Sequence, residues 1–201
     1  MAVLRLVITR PVLRTLTVMF ALFNVGEGML LVFLPSRSAA IGLGTGGYGY
    51  MVAALTAGEL AAAALLARRD WSRPLVASIL VCQLTAAVIV ISLIAASPVS
   101  TIIAMAALGF VSAPMTAWAQ TLRMQEAPAA MHGRLFAVLR TVMQATPPLG
   151  AAAAAWVSAA GWGPVALICC AAAVMALPVL PGAADLRGDL SVITYPAERR
   201  S

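Results

Sequence analysis

Two carboxylates in apolar surroundings are the residues of this sequence best suited to chemistry. Glu27 and Glu59 each lie within a long apolar run. Ionisable groups at membrane depth are costly, and they commonly mark proton relays or substrate paths. A carboxyl group there can exchange a proton when its hydration changes, or it can hold a cationic substrate. The alternative is that each acid is protonated or hydrogen-bonded and only fixes helix packing.

Uncharged polar residues accompany these acids at helical spacing. Asn24 precedes Glu27 by three residues, and such positions lie on one face of a helix. A second polar stripe has the spacing i, i+4, i+8 at Ser112, Thr116 and Gln120. Glutamines in such runs can equally be hydrogen-bond partners between helices. The predicted proton-coupling and substrate path comprises Thr17, Asn24, Glu27, Glu59, Gln120 and Gln144.

Catalytic and metal chemistry are not expected. His132 is the one histidine, and no serine or cysteine is spaced to form a nucleophile–base set with it. The three cysteines lie in apolar runs, where small packing residues are common. The sequence therefore predicts no enzyme, no metal site and no cofactor.

These residues must be positioned by membrane helices, because 62% of the 201 residues are hydrophobic and only 10% are charged. About 20 apolar residues form a helix long enough to cross a bilayer. We therefore predict an all-α membrane protein with six transmembrane helices, a lead at 1–11, a bundle at 12–180 and a mobile tail at 181–201. The six apolar runs are 12–34, 48–67, 75–96, 99–122, 135–160 and 164–180.

All thirteen basic residues are arginines, and their distribution predicts the orientation. They cluster before or at the start of the first run, after the second run, between the fourth run and the start of the fifth, and after the sixth. Only Arg37 lies in an odd-numbered connection. Under the positive-inside rule both termini are cytoplasmic. The net charge of +6 is then explained by anionic lipid headgroups rather than by nucleic acid.

Several segments resemble the carboxy-terminal half of a major facilitator superfamily transporter, in the branch that exports drugs, macrolides and siderophores. The resemblance covers about residues 5–180. It rests on the order and spacing of Arg10-Pro11-Val12-Leu13-Arg14, Asn24, Gly28, Phe33-Leu34-Pro35, Gly47-Tyr48-Gly49-Tyr50, Gly58, the charged turn with Arg68, Arg69, Asp70 and Arg73, His132-Gly133-Arg134-Leu135-Phe136, and Pro147-Pro148-Leu149-Gly150.

The resemblance implies a half-bundle of the major facilitator fold, with the charged turn as a cytoplasmic gate. The family has twelve helices, and the substrate path runs between two six-helix bundles. A single bundle lacks the opposite wall, so the second bundle must come from a longer reading frame, a separate chain or a second copy. In the family's turn motif a glycine stands beside the Asp-Arg pair, whereas Trp71 follows Asp70 here.

We therefore expect half of a proton-coupled antiporter in a bacterial cytoplasmic (inner) membrane, exporting an amphipathic small molecule by alternating access. Its partners would be the lipid bilayer, a second bundle and the substrate. The alternative is a structural or assembly module that does not transport, or an inactive fragment of a longer transporter. In that case the buried polar groups would only specify packing.

Overall fold

The computed structural model describes residues 2–44, 46–68, 75–95 and 97–180, and this part of the chain is helical without strands. The short helix α1 precedes six core helices, α2 to α7, which correspond one for one to the predicted apolar runs. Their bounds are α1 Ala2–Thr9, α2 Pro11–Ala40, α3 Gly47–Ala67, α4 Leu75–Ser92, α5 Pro98–Glu126, α6 His132–Ala159 and α7 Pro164–Ala176.

Within the described ranges, three helices have both the length and the hydropathy to cross a membrane: α2, α3 and α5. The apolar stretches of α4 and α7 are shorter, at Ala77–Ser92 and Pro164–Ala176. Helix α6 has 28 residues, but Arg140, Gln144 and two prolines make it less apolar. These three helices are thus candidate membrane spans by length and composition, and a six-span topology is taken up below as a proposal.

The first core helix is longer than predicted, because Pro35 does not end it. Helix α2 continues through Pro35 to Ala40. A proline removes one backbone hydrogen bond and normally bends or ends a helix. Two serine hydroxyls bond to backbone carbonyls near this end of the helix: Ser36 donates to the Phe33 carbonyl at 2.8 Å, and buried Ser38 donates to the Gly44 carbonyl at 2.7 Å.

Helix α6 also continues through its two prolines, where a break in the hydrogen-bond ladder was expected. Pro147 has no N–H to donate to the carbonyl of Met143, four residues earlier. The Thr146 hydroxyl donates to that carbonyl instead, at 2.9 Å. The freed acceptor is therefore satisfied inside the helix, as a membrane interior requires.

The core helices pack in a pattern that repeats after three helices. Helix α2 packs against α6 and α7, and α5 packs against α3 and α4. If α2 is exchanged with α5, α3 with α6 and α4 with α7, the α2–α6 contact becomes the α5–α3 contact. In the same way, the α2–α7 contact becomes the α5–α4 contact. The remaining large contact, between α4 and α7, is converted into itself. The six core helices therefore form two three-helix units related by an approximate two-fold exchange.

Paired glycines mark the two closest crossings. At the α2–α6 crossing, a Cβ on Gly28 would overlap the Pro147 carbonyl, and a Cβ on Gly150 would overlap the Val25 carbonyl. At the α3–α5 crossing, Gly58 faces the Ala106 carbonyl and Gly109 faces the Leu55 carbonyl. In all four contacts the carbonyl belongs to the residue three positions before the partner glycine. The repeat thus extends from helix pairing to individual backbone contacts.

Two further features hold the bundle together. Gln83 of α4 is fully buried, and its side-chain amide donates to the carbonyls of Met175 at 2.8 Å and Met19 at 3.4 Å, linking α4 to α7 and α2. Helix α1, within the predicted lead, buries Val3 and Val7 in a small cluster with Leu135 and Leu139. This cluster attaches the lead to one end of the bundle.

Candidate functional site

Glu27 lies at the crowded centre of α2, between two glycines that allow close helix contacts. Gly26 packs against Met175 and Ala171 of α7, and Gly28 packs against Pro147 of α6. The Glu27 side chain itself is half-buried. Because Gly26 and Gly28 have no side chains, α6 and α7 approach α2 closely on either side of Glu27.

Glu59 occupies a related position on α3, directly after Gly58. The crossing with α5 brings Gly109 against the Leu55 carbonyl and the backbone nitrogen of Glu59. The Glu59 side chain is also half-buried, and it interacts electrostatically with Glu27. The structure therefore brings together the two acids that the sequence picked out separately.

Neither acid is hydrogen-bonded to another described residue. Both carboxyl groups are partly buried among the helices, and Glu59 is near enough to Glu27 to act on it electrostatically. A carboxylate that locked helix packing would be expected to accept hydrogen bonds from a neighbouring helix. The two carboxyl groups are instead near enough to interact electrostatically, and neither is tied to another helix by a hydrogen bond between described residues.

Thr17 and Asn24 lie on α2 with half-buried side chains. The Thr17 hydroxyl donates to the Leu13 carbonyl at 2.6 Å, and the Asn24 amide donates to the Phe20 carbonyl at 2.7 Å. The Asn24 amide also lies 3.5 Å from the sulfur of Met143 on α6. Asn24 therefore faces the α2–α6 seam, while its acceptor oxygen makes no hydrogen bond to another described residue.

The polar stripe of α5 makes its hydrogen bonds within its own helix. Ser112 and Thr116 donate to carbonyls of their own helix, at 3.0 Å in both cases. Gln120 accepts from Arg123 at 3.5 Å, at the carboxy-terminal end of α5. No hydrogen bond among the described residues joins this stripe to Thr17, Asn24 or Glu27, and its place beside them on a substrate path stays a prediction.

The remaining predicted residues are separate from the acid pair. Gln144 is exposed on α6, next to Met143. Arg68 is exposed, and its backbone N–H donates to the Leu65 carbonyl at the end of α3. The other predicted gate residues, Arg69, Asp70 and Arg73, lie outside the described residues, as does the tail at 181–201.

Arg123 is the polar residue whose importance the sequence reasoning missed. Counting from the end of the apolar run placed it at the membrane surface, whereas its side chain is only 4% exposed. Its guanidinium lies over the Phe20 ring, 4.7 Å from the centroid, and donates to the Leu16 carbonyl at 3.3 Å. A signal existed, because Arg123 follows Gln120 by three residues and so continues the polar stripe.

The described residues contain no group of three or more acidic, histidine or cysteine side chains that could hold a metal ion. Comparison with known protein families, curated proteins and solved structures gave no match. The chemistry open to this site is therefore argued from the acid pair, the helix crossings and the buried arginine.

Proposed function

We propose that this chain is one six-helix half of a secondary transporter of the major facilitator type, exporting an amphipathic small molecule in exchange for protons. A second six-helix bundle, from another chain or a second copy, would supply the other wall of the path. The chain would lie in a bacterial cytoplasmic membrane, with six spans and both termini in the cytoplasm.

The observation that carries the proposal is the repeated three-helix unit. Each half of a major facilitator transporter contains two three-helix repeats of inverted topology. The exchange of α2 with α5, α3 with α6 and α4 with α7 is the pattern such repeats produce. The four glycine contacts follow the same exchange, so the pattern is supported at atomic detail.

One face of α2 supports the need for a second bundle. Arg14, Val18, Leu31 and Val32 are exposed on this helix, although α2 also makes the bundle's main contacts with α6 and α7. The half-buried residues Thr17 and Asn24 adjoin this exposed face. A face that is partly polar is better covered by a second bundle or a wet cavity than by lipid tails.

The acid pair supplies a plausible coupling device. Proton-driven export requires a group whose proton affinity differs between the inward-facing and outward-facing states. Movement of a second bundle across α2 and α3 would change the hydration of Glu27 and Glu59 together. Since the two acids interact, a change at one alters the charge state favoured at the other.

The proposal can be tested by deleting the gene for this chain in the cells that produce it. We expect the deleted cells to retain at least about twice as much ethidium or erythromycin, and expression of the wild-type chain to reverse this. A protonophore should abolish the difference, because the export would use the proton gradient. Unchanged retention of both compounds, together with a monomeric purified chain, would favour the alternative function.

That alternative is a membrane module that organises helices without transporting. It is favoured by one observation: several polar side chains of α2 and α5 are already bonded to carbonyls of their own helix. The unbonded carboxylates of Glu27 and Glu59 favour transport over this reading.

A further inference from the structure

A cavity of about 270 Å³ opens where the carboxy-terminal end of α5 meets the amino-terminal end of α6. Its lining includes Gln120 and Arg123 from α5 and His132, Gly133, Phe136 and Leu139 from α6. The acid pair is not part of this lining, so the cavity is distinct from the site proposed above for proton coupling.

Arg123 brings a buried positive charge to this cavity. Its side chain is 4% exposed, and no carboxylate among the described residues compensates for the loss of water around its charge. Two of its nitrogens make long contacts, to the Leu16 carbonyl at 3.3 Å and the Gln120 side-chain oxygen at 3.5 Å. Its Nε has no hydrogen-bond partner in the described part of the chain. A buried cation of this kind is normally paired.

The start of α6 adds a second, independent attraction for negative charge. This 28-residue helix begins at His132, and no side chain caps its amino terminus. A 3-10 turn at Ala129–Met131 leads into the helix, and the His132 backbone N–H donates to the Ala129 carbonyl. The positive end of the helix dipole still favours an anion there. Gly133 leaves room for it, because a Cβ at this position would have no atom within 4 Å.

The rest of the lining is apolar and open to the surface. Leu135 and Leu139 are buried in the wall, whereas Met124 and Phe136 are 55% and 48% exposed at its edge. A small hydrophilic anion would gain nothing from these side chains. An anion carrying a hydrocarbon chain would pair its head with Arg123 and lay its chain over Met124 and Phe136.

We propose that this cavity binds an amphiphile with a phosphate or carboxylate head, and that Arg123 is the charge partner of that head. The planar guanidinium suits such oxygens because it can present two parallel N–H donors. The ligand is either an anionic phospholipid of the surrounding leaflet or a free amphipathic anion. Basic pockets between membrane helices are known to take lipid headgroups.

Binding can be measured with the full chain purified in dodecyl maltoside, a neutral detergent. Phosphatidylglycerol and dodecyl phosphate serve as the lipid and free-amphiphile probes, and phosphatidylcholine is the zwitterionic control. Native mass spectrometry gives the bound fraction at each probe concentration. We expect Arg123→Gln to weaken binding of the anionic probes at least about tenfold, because charge-assisted hydrogen bonds are lost.

Arg134→Gln is the matched control, since Arg134 is exposed at the same end of α6 and is not among the cavity residues. It removes the same charge and should change the affinity less than about twofold. Gly133→Leu tests the cavity without removing charge, and it remains informative if Arg123→Gln does not fold. It should weaken binding of the anionic probes by filling the space.

Tighter binding of phosphatidylglycerol identifies a lipid site, and tighter binding of dodecyl phosphate identifies a site for a free amphiphile. Either result supports the proposal if it depends on Arg123. Equal effects of Arg123→Gln and Arg134→Gln would overturn it, as would binding that Gly133→Leu leaves unchanged.

Discussion

Buried polar side chains in this protein bond to backbone carbonyls more often than to one another. Asn24 donates to Phe20, Gln83 donates to Met175, and Arg123 donates to Leu16. A carbonyl is a ready acceptor at membrane depth, where water does not compete for it. Glu27 and Glu59 cannot use this arrangement while charged, because a carboxylate is only an acceptor. The carbonyls that accept from the amides and the arginine therefore offer no hydrogen bond to the two acids in their charged form.

The acid pair leads to a prediction about Glu27. Glu27→Gln keeps the shape of the side chain and removes its titration. In the native cells it should abolish proton-driven ethidium efflux, with normal amounts of the chain in the membrane. Efflux is measured after energising preloaded cells at several external pH values.

Glu59→Gln provides the comparison for this variant. If Glu27→Gln retains full efflux and its pH dependence while Glu59→Gln loses them, the coupling role belongs to Glu59. If both variants remain fully active, neither carboxylate couples protons.

At the scale of helices, the glycine crossings determine how closely the bundle packs. Gly58→Ala would force the Ala106 carbonyl away from α3, and overpacking of this kind costs about 1–3 kcal/mol. We expect a lower thermal unfolding midpoint in detergent. Gly49→Ala on the same helix is the control, because its added Cβ meets open space. Equal midpoints for both variants would show that the α3–α5 crossing adjusts freely.

Helix α6 allows a second test at this scale. Thr146→Val removes the hydroxyl that satisfies the Met143 carbonyl next to Pro147. The loss should be about 0.5–1.5 kcal/mol of stability, the usual net contribution of one hydrogen bond. Thr141→Val is the control, since the exposed Thr141 hydroxyl also donates to a carbonyl of α6, that of Ala137, but no proline has freed that carbonyl. Reversible unfolding in mixed detergents compares the two, and a larger loss at Thr141 would refute the role of Thr146.

The positions of the helices could be predicted far better than their pairings. Charged and glycine- or proline-containing segments bound the apolar runs, so most helix ends fall within a few residues of the expected ones. Pro35 misled the prediction because α2 continues through it as far as Ala40. The glycines were visible in the sequence, but their spacing alone does not tell which helix each one meets. Arg123 was misplaced because distance along a helix predicts depth in the membrane and not contact with a neighbouring helix.

For the whole molecule, the arginine distribution predicts which ends face the cytoplasm. In a background with Cys82, Cys169 and Cys170 replaced by alanine, single cysteines at Gly46, Val99 and Trp162 should react with an impermeant maleimide from outside. A cysteine at Ala129 should react only after permeabilisation. All four positions are exposed in the bundle, so folding does not hide them. The reverse labelling pattern would show that the topology is inverted, with Gly46, Val99 and Trp162 in the cytoplasm and Ala129 outside.

The glycine crossings also constrain the time course of synthesis. The crossing at Gly28 cannot form until Gly150 has been synthesised, and Gly150 is roughly 120 residues further along the chain. At about 5–20 residues per second, the first core helix spends roughly 6–24 s in the membrane before its main partner exists. During that interval the carboxyl group of Glu27 has neither α6 nor α7 beside it. The nascent chain should therefore depend on a helper that shields the first helix, such as the insertion machinery, until the fifth has emerged from the ribosome.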